Sequence, residues 1–196
     1  MAFGIKAKSL VLSALVAMGA TQVAQAEEKN GFFLGLGYQQ GKAGGGEYTK
    51  ALSSGFPIYG LDVRVGGVGF VNKWFGGQAY GFFDWDNSNQ IGSTSNDKWN
   101  IYNYGAAADA IVNIIPTEPF ALGLVGGIQL AGDTWNYNGF SHTGFQFLFN
   151  VGGRMRIMEH SSIQAGIKFP MIPQKLTAEM SDIRRYVWYV DYVFTF

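Results

Sequence analysis

The stretch RYVWYVDYVFTF, residues 185–196, decides the fold predicted for this chain. Counting back from Phe196, every second residue is apolar or aromatic, whereas the residues between them include Thr195, Asp191 and Arg185. A repeat of two residues is the period of a β-strand whose faces differ in polarity. A soluble sheet would cover that apolar face with another layer, but here the face is better explained by contact with lipid. The stretch therefore predicts the closing strand of a transmembrane β-barrel.

The first 26 residues have the pattern of a secretory signal peptide. Two lysines precede an apolar run at residues 10–20, and the small-residue sequence AQA at 24–26 gives a cleavage site. The apolar run is too short to cross a bilayer as a helix. We expect residues 1–26 to be removed and residues 27–196 to form the barrel.

The composition excludes several classes of protein. Aromatic residues make up 16% of the chain and charged residues only 14%, whereas about a quarter of the residues in a soluble globular protein are charged. The formal net charge of zero gives no basic surface for nucleic acid. The chain contains no cysteine, which rules out disulfides, thiolate metal sites and cysteine catalysis.

Alternating polarity predicts eight antiparallel strands, at residues 31–41, 59–70, 75–85, 100–114, 120–131, 143–157, 162–171 and 185–196. Long connections (42–58, 86–98, 132–142, 173–184) alternate with short ones (71–74, 115–119, 158–161). Outer-membrane barrels combine long surface loops with short periplasmic turns, and an even strand number places both termini in the periplasm. The alternative, a soluble β-sandwich or lipocalin-like barrel, buries its apolar face and would need a more charged exterior than this sequence supplies.

Charged residues on the second face of these strands are predicted to line the lumen: Asp62, Arg64, Asp84, Asp109, Arg154, Arg156, Lys168, Arg185 and Asp191. An eight-stranded barrel is only wide enough for side chains to fill. Because an unpaired buried charge is costly, these side chains should form a polar network that plugs the barrel.

Aromatic residues leave one ambiguity and suggest two girdles. In the third strand Tyr80 and Phe82 compete with Phe83 and Trp85 for the outer face, so Asp84 is assigned inward because of the cost of a lipid-facing charge. Tryptophans near the long loops predict an outer aromatic girdle, with one more by a short turn: Trp85, Trp99, Trp135 and Trp188, then Trp74.

Catalysis finds little support in the sequence. His160 and Ser162 could share a strand face, but no carboxylate follows on that face, so a polar turn is the better interpretation. Metal-ligand spacings and complete phosphate-binding glycine motifs are absent from the sequence. We predict that the protein is not an enzyme and binds no cofactor.

Three segments resemble the Helicobacter outer membrane protein family: EEKNGFFLGLGYQQG at 27–41, GIKFPMIP at 166–173 and RRYVWYVDYVFTF at 184–196. The chain resembles a small member of that family. The resemblance implies that the barrel-assembly machinery recognises the terminal strand, a role that falls on Trp188, Val190, Tyr192, Phe194 and Phe196.

Large members of that family carry a long surface domain after the first strand, which some use for adhesion, and some members form pores. Only the short 42–59 stretch stands there in this sequence. The favoured interpretation is a structural, surface-exposed outer-membrane protein whose partners are outer-membrane lipids and the assembly machinery. The alternative is a narrow porin-like channel, or an adhesin binding host surface ligands through loops that contain Tyr48, Trp135 and Tyr137.

Overall fold

The computed structural model describes residues 29–45, 55–88, 98–117, 120–137, 139–176 and 181–196. The predicted signal peptide and Tyr48 lie outside these residues. The strands are β1 Gly31–Gly45, β2 Phe56–Phe70, β3 Phe75–Ser88, β4 Trp99–Pro116, β5 Phe120–Tyr137, β6 Phe140–Ile157, β7 Ser161–Pro170, β8 Gln174–Lys175 and β9 Ser181–Thr195. In the described part of the chain no helix has the length and apolar character to cross a membrane.

The sheet closes on itself. Strands β1 to β7 pair in chain order, β9 pairs with β7, and β1 pairs with β9 from Phe33↔Thr195 to Gly45↔Asp182. The two-residue β8 adds only a short ladder on the end of β9. The predicted all-β, eight-stranded antiparallel barrel closed by the last strand is therefore confirmed.

The two faces of the barrel differ in polarity, as the alternation predicts. Large apolar side chains cover the outside, among them Leu36, Val63, Phe83, Val112, Leu124, Phe149, Ile167 and Val190. The structure also resolves the third strand, because Tyr80, Phe82 and Asp84 are buried inside whereas Phe83 and Trp85 are exposed. An apolar exterior around a polar interior is the arrangement of a barrel in lipid.

The barrel has two unlike ends. At one end, called here the terminal end, lie Gly31, Phe196 and the short connections after β2, β4 and β6. The other end is called here the loop end. Strands β4, β5 and β6 are each 18 residues long, whereas β7 has 10 residues. The β5–β6 hairpin therefore runs past β7, whose last pair with β6 is Leu148↔Pro170, whereas β4 ends level with β3 at Ser88↔Trp99.

The predicted long loop at 132–142 is wrong. Strand β5 continues to Tyr137 and β6 begins at Phe140, and Gly139 takes a φ of +83° in the tight turn between them. The prediction failed because this part of the strand lies beyond the apolar layer. Polar residues there occur on both strand faces, and such a sequence resembles a loop. The side chains still alternate there, with Asp133 and Trp135 buried and Thr134 and Asn136 less so.

Gly37 of β1 makes room for two lumen carboxylates. A Cβ at this position would overlap Asp62 and Asp191. At Gly81, by contrast, the atom nearest to an added Cβ is the Gly105 oxygen at 3.7 Å. A methyl group at Gly37 would therefore have to displace the Asp62 and Asp191 carboxylates.

We expect Gly37→Ala to lower the free energy of unfolding by about 1–3 kcal/mol, the usual cost of overpacking. The matched control Gly81→Ala should have little effect. Both are measured by urea unfolding of the refolded barrel in lipid vesicles, followed by tryptophan fluorescence. Equal effects of the two substitutions would contradict the packing argument.

Candidate functional site

The centre of the lumen is organised around Lys168 of β7. Its Nζ donates to Asp84 at 3.0 Å, to Asp62 Oδ2 at 3.2 Å and to Gln39 Oε1 at 3.2 Å. The ammonium also lies 5.5 Å from the centre of the Tyr189 ring. All of these side chains are buried, so one lysine links strands on opposite sides of the barrel.

Arg64 of β2 forms the next layer toward the terminal end. Its guanidinium pairs with Asp191 of β9 and lies 3.6 Å from Asp62 Oδ2. Its Nη1 also donates to Gln164 Oε1 at 3.3 Å, and its Cζ lies 4.9 Å from the centre of the Tyr189 ring. Asp62 is thus shared by Arg64 and Lys168, which makes the two layers one network.

Arg184 of β9 forms the layer toward the loop end. Its Nη1 lies 3.0 Å from Asp86 Oδ2 and 4.0 Å from Asp84 Oδ2, and its Nε lies 3.7 Å from Asp133 Oδ1. Gln39 Nε2 donates to Asp86 Oδ1 at 2.8 Å. Asp84 is shared by Lys168 and Arg184, so the ion pairs run without a break through three layers.

The assignment of Arg185 to this network is wrong, because Arg184 occupies the position. The register of β9 against β1 shifts by one residue between Lys42↔Tyr186 and Ala43↔Arg184. This irregularity skips Arg185, which is only half-buried, and turns Arg184 inward. A bulge of this kind reverses the facing of every residue beyond it.

Amide side chains extend the polar interior toward the terminal end. Asp109 accepts from Gln78 Nε2 at 2.7 Å and from Asn150 Nδ2 at 3.0 Å. Gln78 also exchanges hydrogen bonds with Gln164, which is a partner of Arg64. The predicted residue Asp109 is therefore joined to the ion pairs by amides.

Two predicted lumen residues, Arg154 and Arg156, lie near the terminal end of β6. Arg154 is buried with its Cζ 5.2 Å from the centre of the Phe70 ring. Arg156 is also buried and donates from Nη2 to the Thr117 carbonyl oxygen at 3.0 Å. They form the floor of the lumen at the terminal end.

Apolar clusters flank the charges. One includes Phe33, Phe70 and Ile111 near the terminal end. The second, called here the outer cluster, lies at the loop end and consists of Ala43, Ile58, Trp99, Ile101, Trp135, Leu176 and Val187. The predicted girdle positions of Trp99 and Trp135 are therefore wrong, since both rings fill the interior, whereas Trp74 and Trp85 are exposed.

The segment after β7 closes over the loop end. Gln146 Oε1 accepts from Met171 N at 3.2 Å and from Ile172 N at 2.9 Å, and Gln146 Nε2 donates to Ile172 O at 2.8 Å. Gln174 Nε2 donates to Phe145 O at 3.0 Å. These bonds hold the chain so that Leu176 can enter the outer cluster.

Several network residues were missed by the sequence. Asp86 and Asp133 were assigned to loops, and Gln39, Gln78 and Arg184 were not named as lumen residues. The two-residue repeat of inward-facing positions could have identified both aspartates. Asp86 lies two residues after Asp84, and Asp133 lies two residues after the buried Ala131. Extending each alternation until it failed would have found both aspartates.

His160 has the contacts of a structural residue. Its Nδ1 lies 2.6 Å from the Thr195 carbonyl oxygen, Lys29 Nζ lies 3.2 Å from its ring nitrogens, and its ring stacks on Phe194 at 5.5 Å. Ser162 is buried on the lumen face of β7. Within the described ranges no group of three His, Asp or Glu side chains could hold a metal ion.

Comparisons with known proteins support the same architecture. The family described as Helicobacter outer membrane protein matches residues 62–196. Among solved structures, Ail, the attachment invasion locus protein of Yersinia pestis, aligns with a TM-score of 0.50 and 13% identity over 86% of this chain and 100% of Ail. A complex of Ail with the heparin analogue sucrose octasulfate aligns at 0.49 and 14% identity over 86% and 99%. No curated protein matches significantly. At 13% identity the first of these likenesses shows the fold alone.

We predict that Lys168→Met destabilises the barrel by about 3–5 kcal/mol, because it leaves the buried Asp62 and Asp84 without their shared cation. Adding Asp84→Asn should recover part of the loss. Urea unfolding in lipid vesicles measures both variants, with Lys73→Met in a short turn as the control. Additive effects of Lys168→Met and Asp84→Asn would show that the two side chains are not coupled.

Proposed function

The chain belongs to the Helicobacter outer membrane protein family, and we propose that this outer-membrane β-barrel is plugged and serves a structural, surface-exposed role. The observation that carries the proposal is the unbroken set of buried ion pairs that joins Arg64, Lys168 and Arg184 through shared aspartates. An open pore would leave these charges in water, whereas here their side chains are buried among one another.

The chemistry of the interior supports a seal. Three cations meet five carboxylates in the central network, Asp62, Asp84, Asp86, Asp133 and Asp191. Each cation is held by two or three carboxylates, so an ion entering the lumen would have to displace existing pairs in a space that side chains already fill. The apolar clusters on either side of the charges add two further barriers.

The proposed orientation places the terminal end in the periplasm and the loop end outside. An even number of spanning strands puts both termini on the same side, and outer-membrane barrels keep their short turns in the periplasm. The β5–β6 hairpin, which runs past the end of β7, would then rise from the cell surface. Outer-membrane lipids would contact the apolar exterior, and the surface role would fall on these strands and the adjoining loops.

Adhesion through aromatic loop residues has less support. Trp135 lies inside the barrel and is completely buried, and Tyr137 packs against the outer cluster. A host ligand could therefore not use the Trp135 ring as an exposed anchor, and the adhesin alternative loses one of its three named aromatic residues.

The plug predicts that the folded protein is electrically silent. We expect the refolded barrel to give no discrete channels in a planar lipid bilayer, with a heat-modifiable gel shift as proof of folding. The double variant Arg64→Ser/Lys168→Ser should raise ion leakage, because it removes the cations that hold two layers together. Discrete channels from folded wild-type protein would overturn the plug and favour a porin-like role.

The terminal strand is proposed to carry the assembly signal, through Trp188, Val190, Tyr192, Phe194 and Phe196. In the folded barrel the centre of the Phe196 ring lies 6.2 Å from that of Phe32 and 5.2 Å from that of Phe194, and the Phe196 residue remains 57% exposed. Its contribution to the packing of the folded state is therefore small, and its loss should act mainly on assembly.

We expect Phe196→Ser to reduce the amount of folded barrel in the outer-membrane fraction severalfold. Phe32→Ser is the matched control, because Phe32 contacts Phe196 and is 55% exposed on the same surface. The heat-modifiable form in isolated outer membranes is measured for both variants. Equal yields of the two would remove the special role of the terminal residue.

A further inference from the structure

A polar groove of about 350 Å³ lies at the tips of the long strands. Its described lining residues are Lys98, Asn100, Asn136, Tyr137, Gly139, Phe140 and Ser141. We propose that this groove binds the phosphorylated sugar headgroup of a lipopolysaccharide in the outer leaflet. The inference rests on the proposed orientation, in which the loop end faces outward.

The groove stands immediately above the apolar layer. The outward apolar face ends near Tyr104 of β4, Leu130 of β5 and Phe145 of β6, all exposed. Beyond it come two polar rows across the same strands, first Tyr102, Thr134 and Thr143, then Asn100, Asn136 and Ser141. Asn100 is four residues beyond Tyr104, or about 13 Å along the strand. Because strands of such barrels tilt by about 35–45°, this distance is about 10 Å along the membrane normal, at the outer side of the headgroup zone of the leaflet.

Hydrogen-bonding capacity remains available in the groove. Asn136 lines the groove with its amide side chain, a group that can both donate and accept hydrogen bonds. Asn100 Oδ1 accepts from Trp85 Nε1 at 3.2 Å, which leaves the Asn100 amide as a donor. The Ser141 hydroxyl can donate or accept. Donors and acceptors so close together suit the hydroxyl groups of a sugar.

The charge of the groove indicates which kind of sugar it would bind. Lys98 is exposed in the groove, and its described lining includes no carboxylate. The Lys98 ammonium beside amides and a hydroxyl favours a sugar that carries phosphate over a neutral one. Phosphorylated sugars are the headgroup chemistry that lipopolysaccharide presents at this height, so the neighbouring lipid supplies the ligand.

The groove is held in shape before any ligand binds. Tyr137 stacks on Trp99 with ring centres 4.7 Å apart and planes 12° apart, and Trp99 meets Trp135 edge to face at 6.0 Å. The outer cluster inside the barrel thereby fixes the strand tips from below. A preformed site loses little conformational entropy on binding.

The test titrates the refolded barrel in detergent micelles with a deacylated, phosphorylated glucosamine disaccharide, using calorimetry. Lys98→Ala should weaken binding about fivefold, the upper range for an exposed ion pair. Asn136→Leu should weaken it about tenfold or more by removing an acceptor and filling the groove. Lys73→Ala, a lysine at the opposite end, is the matched control and should bind as the wild type does.

Three results would overturn the site: no binding by folded wild-type barrel, equal binding by the wild type, Lys98→Ala and Asn136→Leu, or inorganic phosphate binding as tightly as the disaccharide. Tighter binding of the phosphate-free disaccharide would also exclude the proposed ligand chemistry. Since the chain has no cysteine, Lys175→Cys, an exposed loop-end position outside the groove lining, can be labelled on intact cells with an impermeant maleimide. Labelling supports the orientation, and its failure in folded protein contradicts it independently of the conductance result.

Discussion

Closure of β1 against β9 is the constraint on which the rest of the structure depends. A strand in lipid has no water to satisfy its backbone, so an open sheet edge is not viable there. The thirteen paired positions from Phe33↔Thr195 to Gly45↔Asp182 remove both edges at once. The same closure fixes a lumen so narrow that inward side chains of opposite strands bind one another, as Lys168 does with Asp62 and Asp84.

Charge in such a lumen is permissible only when it is paired. Lys168 pairs with two aspartates, and Asp62 and Asp84 each pair with two cations. Removing one of these charged side chains therefore leaves other buried charges with fewer partners. Gly37 is the steric counterpart of this arrangement, because it leaves the space in which Asp62 and Asp191 approach the cations. Polar pairing and backbone glycine are therefore two parts of one packing solution.

The fold followed from the sequence because the period of two residues reports directly on facing, and lipid imposes it on every spanning strand. Most predicted lumen charges are buried for the same reason. Arg184 and Arg185 were exchanged because a register shift leaves the composition unchanged while reversing the facing. Asp133 and Trp135 were assigned to a loop because beyond the apolar layer both strand faces are polar or mixed, and the alternation loses its contrast in hydropathy.

That loss of contrast also explains why the loop end differs from the rest of the barrel. Within the membrane, lipid selects the outward residues and the lumen selects the inward ones. Above it, the inward face is still selected by packing, which keeps Trp99 and Trp135 buried, whereas the outward face is released from lipid and carries Asn100, Asn136 and Ser141 instead. This outward face is supported from inside by packed tryptophans and does not have to be apolar. Selection for binding a polar ligand can therefore act on it without disturbing the plug.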